Sequence, residues 1–390
     1  MSKPPCPASA SQTARQRGAI LLTASLWFLA LIGLVAVMID VGHLMVVRAE
    51  LQNAADASAL AGANCLNKTP NNTQTDCSQA PSGTLNWDVA AAKAFSAIAL
   101  NKADNNTLGT GLTRADTVRT GYKNLLAGSQ SALQPISLSP VGTYDKPAVM
   151  VTLRKDSGKN SGPVQTLITR MFAGADQPMT ASAVAVISNP GTVGASTVIP
   201  QAINKCLYDL YWDAASNSPQ LAISSSLNGV PQVIGQPWQL RIGSGYHYPN
   251  CDSGQWTTFG QDTNDIGTVR QLIANGNGSP LALGDNTWIE PGTKSSLFDD
   301  LSARYPTPLS PPTANTSAAL DVTLLVVDQP NNLNTKGTAP IVGFAGFHIT
   351  DIQGGSGKYV QGHFMAASTT GGSGGIGPNF GTYTPPRLAQ

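Results

Sequence analysis

Charge is what this sequence has least of. Lys, Arg, Asp and Glu make up 12% of its 390 residues, roughly half the usual share, and they nearly cancel to a net charge of +1. So weak a field draws in no polyanion, and no basic stripe with interleaved aromatics is present, so no nucleic-acid partner is expected. The four histidines, His43, His247, His348 and His363, are scattered, and no Gly-x-Ser-x-Gly elbow accompanies them, so a nucleophile with its base has no signature here. No Gly-x-x-x-x-Gly-Lys-Ser/Thr loop exists to cradle phosphates. Asp262-Thr263-Asn264-Asp265-Ile266-Gly267 opens like a calcium loop, but Ile266 fills the third ligand position and Ile273 the place of the bidentate Glu, so it reads as a polar turn. Asp299-Asp300 reads as a helix start. No catalytic residue, cofactor or metal is expected, and the chain reads as a non-enzyme.

What is present begins at the N-terminus. Ala19 to Ile39 carries no charge, and as a helix rising about 1.5 Å per residue it is long enough to cross a bilayer. A secretory signal would have a shorter apolar core followed at once by a small-x-small cleavage site. Here Asp40-Val41-Gly42-His43 follows instead, which favours a retained anchor. Lys3, Arg15 and Arg17 precede the span without an acidic residue among them, so the N-terminus is expected in the cytoplasm. On that topology Cys65, Cys77, Cys206 and Cys251 are exported together, an even set. Of the three pairings open to them, Cys65–Cys77 and Cys206–Cys251 are the simplest. Metal-ligand spacing is lacking, although His247 lies near Cys251.

The fold class expected is α+β: one transmembrane helix extended into a rod, a small α+β domain, then a mostly β domain. The divisions are 1–18 cytoplasmic, 19–42 membrane, 43–66 rod, 67–190 α+β and 198–390 β-rich. Along the rod, Leu44, Val47, Leu51, Ala54, Ser58 and Ala61 recur at steps of three and four and share one face. That face either packs on the chain's own exported domain or docks a neighbouring helix. Beyond it a helix is expected at Trp87–Leu100, strands at Thr117–Tyr122 and Ala148–Leu153, a helix at Val164–Phe172 and a strand at Met179–Ile187. Ser188-Asn189-Pro190-Gly191 begins a linker. Of 24 aromatic residues 17 follow residue 198, among apolar runs separated by Gly, Pro, Asn and Ser. Val322–Val327 should be a strand covered on both faces, and Thr370–Gly377 with the tail after it should be flexible. The aromatic patches Tyr208–Trp212 and Tyr246–Tyr248 pack in a β core or, alternatively, stack on sugars, as in a membrane-tethered carbohydrate-binding or adhesin protein without an assembly role.

The run Arg17-Gly18-Ala19-Ile20, the apolar helix, Ile39-Asp40-Val41-Gly42 and Arg48-Ala49-Glu50-Leu51-Gln52-Asn53-Ala54-Ala55-Asp56-Ala57 closely resembles the N-terminal segment of the TadE/TadG-like proteins of bacterial Tad (Flp) pilus systems. Ser253–Phe259 and Pro340–Phe347 are similar to the longer TadG-related members. The resemblance implies a pilus-assembly protein of the bacterial inner membrane with periplasmic domains. Its implied partners are that membrane and other Tad pilus components or pilin subunits. It also marks Gly18 as a possible processing site. Two departures stand out. The nearest approach to the Asp-x-Ser-x-Ser loop of a von Willebrand A domain is Asp56-Ala57-Ser58-Ala59-Leu60, in the rod, so no such domain is expected. Five residues after Gly18, where pilins and pseudopilins carry glutamate, stands Thr23.

Overall fold

No proline interrupts residues 13–63, and alanine and leucine, which favour helix most, dominate them. The computed structural model accordingly has one unbroken helix, α1 (Thr13–Ala63), 51 residues long. The structure describes residues 13–67, 77, 85–126, 132–166, 176–214, 216–249, 251–292, 294–305, 321–329, 333, 335–369 and 376–389. A short second helix, α2 (Trp87–Ile98), lies against α1 and buries Ala90, Ala94, Ala97 and Ile98.

Both helices cover an antiparallel sheet of β1 (Val118–Asn124), β2 (Asp145–Lys155) and β3 (Met179–Val186), in which Val118 faces Val151 and Ala148 faces Val186. Alternate residues Val149, Val151 and Leu153 on β2 and Ala181, Ala183 and Ala185 on β3 are buried, the period of two that a half-covered strand requires. The helix expected from Val164 does not form where the chain is described. Val164 follows a proline, is β-branched, and bridges to Gln177 instead; residues 167–175 of that expectation lie outside the described residues.

The rest of the chain builds a seven-stranded sheet from β4 (Val198–Asn204), β5 (Leu240–Ile242), β6 (Gly254–Thr257), β7 (Asn286–Glu290), β8 (Asp321–Val327), β9 (Gly337–Gln353) and β10 (Tyr359–Phe364). Its order is β5-β10-β9-β7-β6-β4-β8, and β8 pairs again with β9, so the middle strands close into a ring. Every pairing is antiparallel except β8 with β4. The apolar run on β8 is used on both sides: Leu324 and Val326 join the core shared with the first sheet, Leu325 and Val327 a second core with Val198, Ile341 and Phe344. Three helices flank the sheet: α3 (Lys205–Tyr211), α4 (Ile266–Asn275) and α5 (Ser295–Arg304). Asp265 caps α4 by accepting from Thr268 N–H at 2.8 Å, which is what the calcium-like loop does here. Asp299 and Asp300 do not start a helix: α5 begins at Ser295, and Asp300 accepts from Arg270 Nε at 2.7 Å.

The expected linker and the expected flexible tail are one ordered seam. β11 (Arg387–Leu388) pairs with β3 at the edge of the first sheet, Arg387 opposite Val186 and Leu388 opposite Ala185. Residues assigned by sequence to the β-rich domain thereby complete the α+β sheet. Ser188, Asn189 and Pro190 are buried because the 376–384 segment satisfies them. Thr384 N–H donates to Ser188 O at 2.7 Å, Gly377 N–H to Asn189 O at 3.0 Å, and Asn189 Nδ2 to Thr382 O at 2.9 Å. A turn-like composition reads as a solvated linker only when no other segment supplies those bonds. Residues 370–375 lie outside the described residues.

Candidate functional site

The site begins with the two halves of α1. From Ile20 to Ile39 the helix shows apolar side chains on every side, with Ile20, Trp27, Phe28, Leu29 and Leu31 all at least 60% exposed. Among the described residues α1 is the one helix long and apolar enough to span a membrane. Hydroxyls within that stretch are satisfied locally, Thr23 by Ile20 O at 3.0 Å and Ser25 by Leu22 O at 2.9 Å, so neither needs an outside partner in lipid. Gly18 lies in the helical backbone of α1, five residues before Thr23.

The second half is consumed by the chain itself. Val47, Leu51, Ala54, Ala55, Ser58, Ala59 and Ala63 are buried, and α1 packs on α2, β2 and β3. Of the six stripe residues read from sequence, Val47, Leu51, Ala54 and Ser58 lie fully inside, while Leu44 and Ala61 are half-buried at the margins. The small residues serve close approach within the chain. A Cβ on Gly62 would stand 2.7 Å from Ala94 Cβ and 2.8 Å from Ala90 O, so only glycine admits α2 there.

A polar collar fixes the helix where the two halves meet. The hairpin 102–107 turns through Asp104 (φ 56°) and Asn105 (φ 60°), left-handed positions that Asp and Asn tolerate. Asp104 reaches His43 Nε2 at 3.0 Å and Lys155 Nζ at 3.3 Å, and its own N–H donates to Glu50 Oε2 at 2.8 Å. His43 and Glu50 are seven residues apart, two turns on one side of α1. Lys155 is buried and donates also to Asn160 O. Further out, Gln52 Nε2 donates to Ser182 O on β3 at 3.1 Å. Sequence reasoning missed this collar, although Asp104-Asn105 was a legible turn signal.

Both cysteine pairs are joined in the structure, Cys65 to Cys77 and Cys206 to Cys251. The second ties α3 to the segment before β6 and brings the aromatic patches together. Tyr208, Tyr211, Trp212 and Tyr248 are buried, with Tyr208 stacked on Trp212 and Tyr211 edge-on to Tyr248. Trp256 is buried too, against Phe298. These rings pack in the core, while Tyr246 of the second patch is half-buried, edge-on to Tyr359.

Two of the four histidines, scattered in sequence, meet across neighbouring strands. Register places Asp321, His348 and His363 in one row on β8, β9 and β10, with Asp321 Oδ1 2.6 Å from His348 Nδ1 and the two imidazoles 5.1 Å apart. Burial, with His348 beside it, lowers the His363 pKa to about 3, whereas burial raises that of Asp321. The unfolded chain therefore takes up the His363 proton first as pH falls from 6.5 toward 3. Stability from this residue is full above that window and is lost at roughly 1.4 kcal/mol per pH unit within it, Asp321 opposing in part. Urea midpoints should fall from pH 7 to pH 4, and His363→Gln should flatten that slope. Among the described residues no group of three His, Cys, Asp or Glu side chains could hold a metal.

Residues 18–64 match the family described as Tad, putative Flp pilus-assembly TadE/G-like. No curated protein and no solved structure matches the chain. The match begins at the glycine before the apolar stretch and ends one residue past the last turn of α1, covering the apolar half, His43 and Glu50 of the collar, and the packed half. The apolar helix that runs on into the folded body is thus the part of the chain that is similar to the TadE/G-like Flp pilus-assembly family.

Proposed function

We propose that this chain is a structural component of a Tad-type pilus assembly, anchored once in the bacterial inner membrane with residues 1–18 in the cytoplasm and everything beyond about residue 42 in the periplasm. The observation that carries this reading is the continuity of α1, whose TadE/G-like segment is apolar all round in one half and built into the protein's core in the other. The paired cysteines suit an oxidising compartment, and the positive residues before the span suit a cytoplasmic N-terminus. No chemistry is asked of the protein. It holds a folded body at a fixed attitude to the bilayer, where that body meets filament subunits or other assembly proteins. Because the outer half of α1 is already covered, lateral helix partners are met by its membrane half and protein partners by the surface of the two sheets. Deleting the gene should abolish or sharply reduce surface pili in a strain whose major pilin is still made. Unchanged pilus number and length would refute the assembly role.

A further inference from the structure

A cavity of about 470 Å³ opens beside β6 and β7 rather than near α1. Its apolar side is formed by Phe259, Leu272 and Leu281, all buried, and its outer side by the exposed Gln261, Asp285 and Asn286. Phe259 adopts φ 57°, a left-handed conformation that is unfavourable for a bulky side chain. Neighbours hold it there: its N–H donates to Thr257 Oγ1 at 3.0 Å and its carbonyl accepts from Trp288 N–H at 2.6 Å. Backbone strain sustained by its surroundings and placed on a cavity wall is a feature of binding sites.

The lining also selects the ligand. No Lys, Arg or His lines the cavity, which disfavours anions. Its one carboxylate, Asp285, already accepts from Ala282 N–H at 2.8 Å, which weakens it as a seat for a cation. What remains is an apolar wall facing a rim of amide and carboxylate groups. That arrangement matches a sugar ring, whose C–H face is apolar and whose edge of hydroxyls both donates and accepts. The volume falls within the roughly 300–1,000 Å³ range of small-molecule sites, toward its lower end, which suits one or two rings. We propose that this cavity binds a neutral pyranose, with Phe259 and the two leucines against the ring and Gln261, Asp285 and Asn286 bonded to its hydroxyls. The inference stands apart from the assembly role and fails or survives separately from it.

The full chain in lipid nanodiscs tests it by saturation-transfer NMR against glucose, galactose, mannose and N-acetylglucosamine, with glucuronate and glucosamine as charged controls. At least one neutral sugar should receive saturation on its ring protons. Gln261→Ala with Asn286→Ala, both exposed and therefore harmless to the fold, should weaken that sugar at least about tenfold with the melting temperature unchanged. Silence from all four neutral sugars, equal affinity in the double variant, or preference for either charged control would overturn the assignment.

Discussion

A Leu51→Asp chain should still reach the membrane and yet lose its folded exported body. Leu51 is completely buried on the packed side of α1, about three turns beyond Ile39, where the uncharged stretch ends. The substitution forfeits roughly 1.5–3 kcal/mol of apolar burial and also forces a carboxylate into a site whose neighbours, Val47, Ala54 and Ala55, are all apolar. A total loss of about 4 kcal/mol or more is a large part of the 5–15 kcal/mol that holds most domains together. The span itself is untouched, so membrane fractions should contain normal amounts of chain. Limited proteolysis of those fractions should release small fragments in place of a resistant body, and pili should disappear as in the deletion strain. A resistant body with normal pili would show that α1 does not depend on the sheet.

Removing residues 376–390 should be as damaging, although these residues lie far from α1 in sequence. Phe380 packs edge-on to Tyr208 in the shared core, and Tyr383 is buried with its hydroxyl accepting from Asn217 Nδ2. Lys146, buried on β2, donates to Asn189 Oδ1 at 2.6 Å and to Gly377 O at 3.0 Å. Burial lowers its pKa to about 8, so at neutral pH it stays charged and depends on those two acceptors. Truncation takes one acceptor away, opens the edge of β3 and empties part of the core, and both sheets should lose protease resistance together. The single substitution Tyr383→Ala should cost about 3–5 kcal/mol, read as a lowered urea midpoint of the exported body. If the first sheet stayed resistant after truncation, the seam would be peripheral.

What was legible in the sequence was carried by local pattern. The uncharged stretch and the three-four spacing reveal α1 because a membrane and a packed face each impose their own period on nearby residues. Val322–Val327 reads as doubly covered because no polar residue but Thr323 interrupts it. What escaped was set by partners distant in sequence. Nothing around Arg387-Leu388 announces that it pairs with Ala185 and Val186, and two residues are too few for a strand signal. Ser188–Gly191 looks solvated because its bonding partners lie near residue 380. The row of Asp321, His348 and His363 exists only once three strands are in register. At the site the stripe on α1 was visible but its occupant was not, since a small-residue face looks the same whether its own sheet or another helix covers it. Phe259 gave no sign of its left-handed backbone, which is imposed by Thr257 and Trp288.

The collar at His43, Glu50 and Asp104 gives the continuous helix a mechanical meaning. A helix advances about 100° and 1.5 Å with each residue. Pinned at His43 and again at Glu50, α1 cannot swivel against the body, so on the proposed anchoring the compass direction of the body is set by whichever side of the apolar half meets a neighbour. Copies gathered around a common partner in the bilayer would all face the same way, like teeth on a gear. One residue inserted into the helix between the span and the collar would turn every one of them by more than a quarter of a circle.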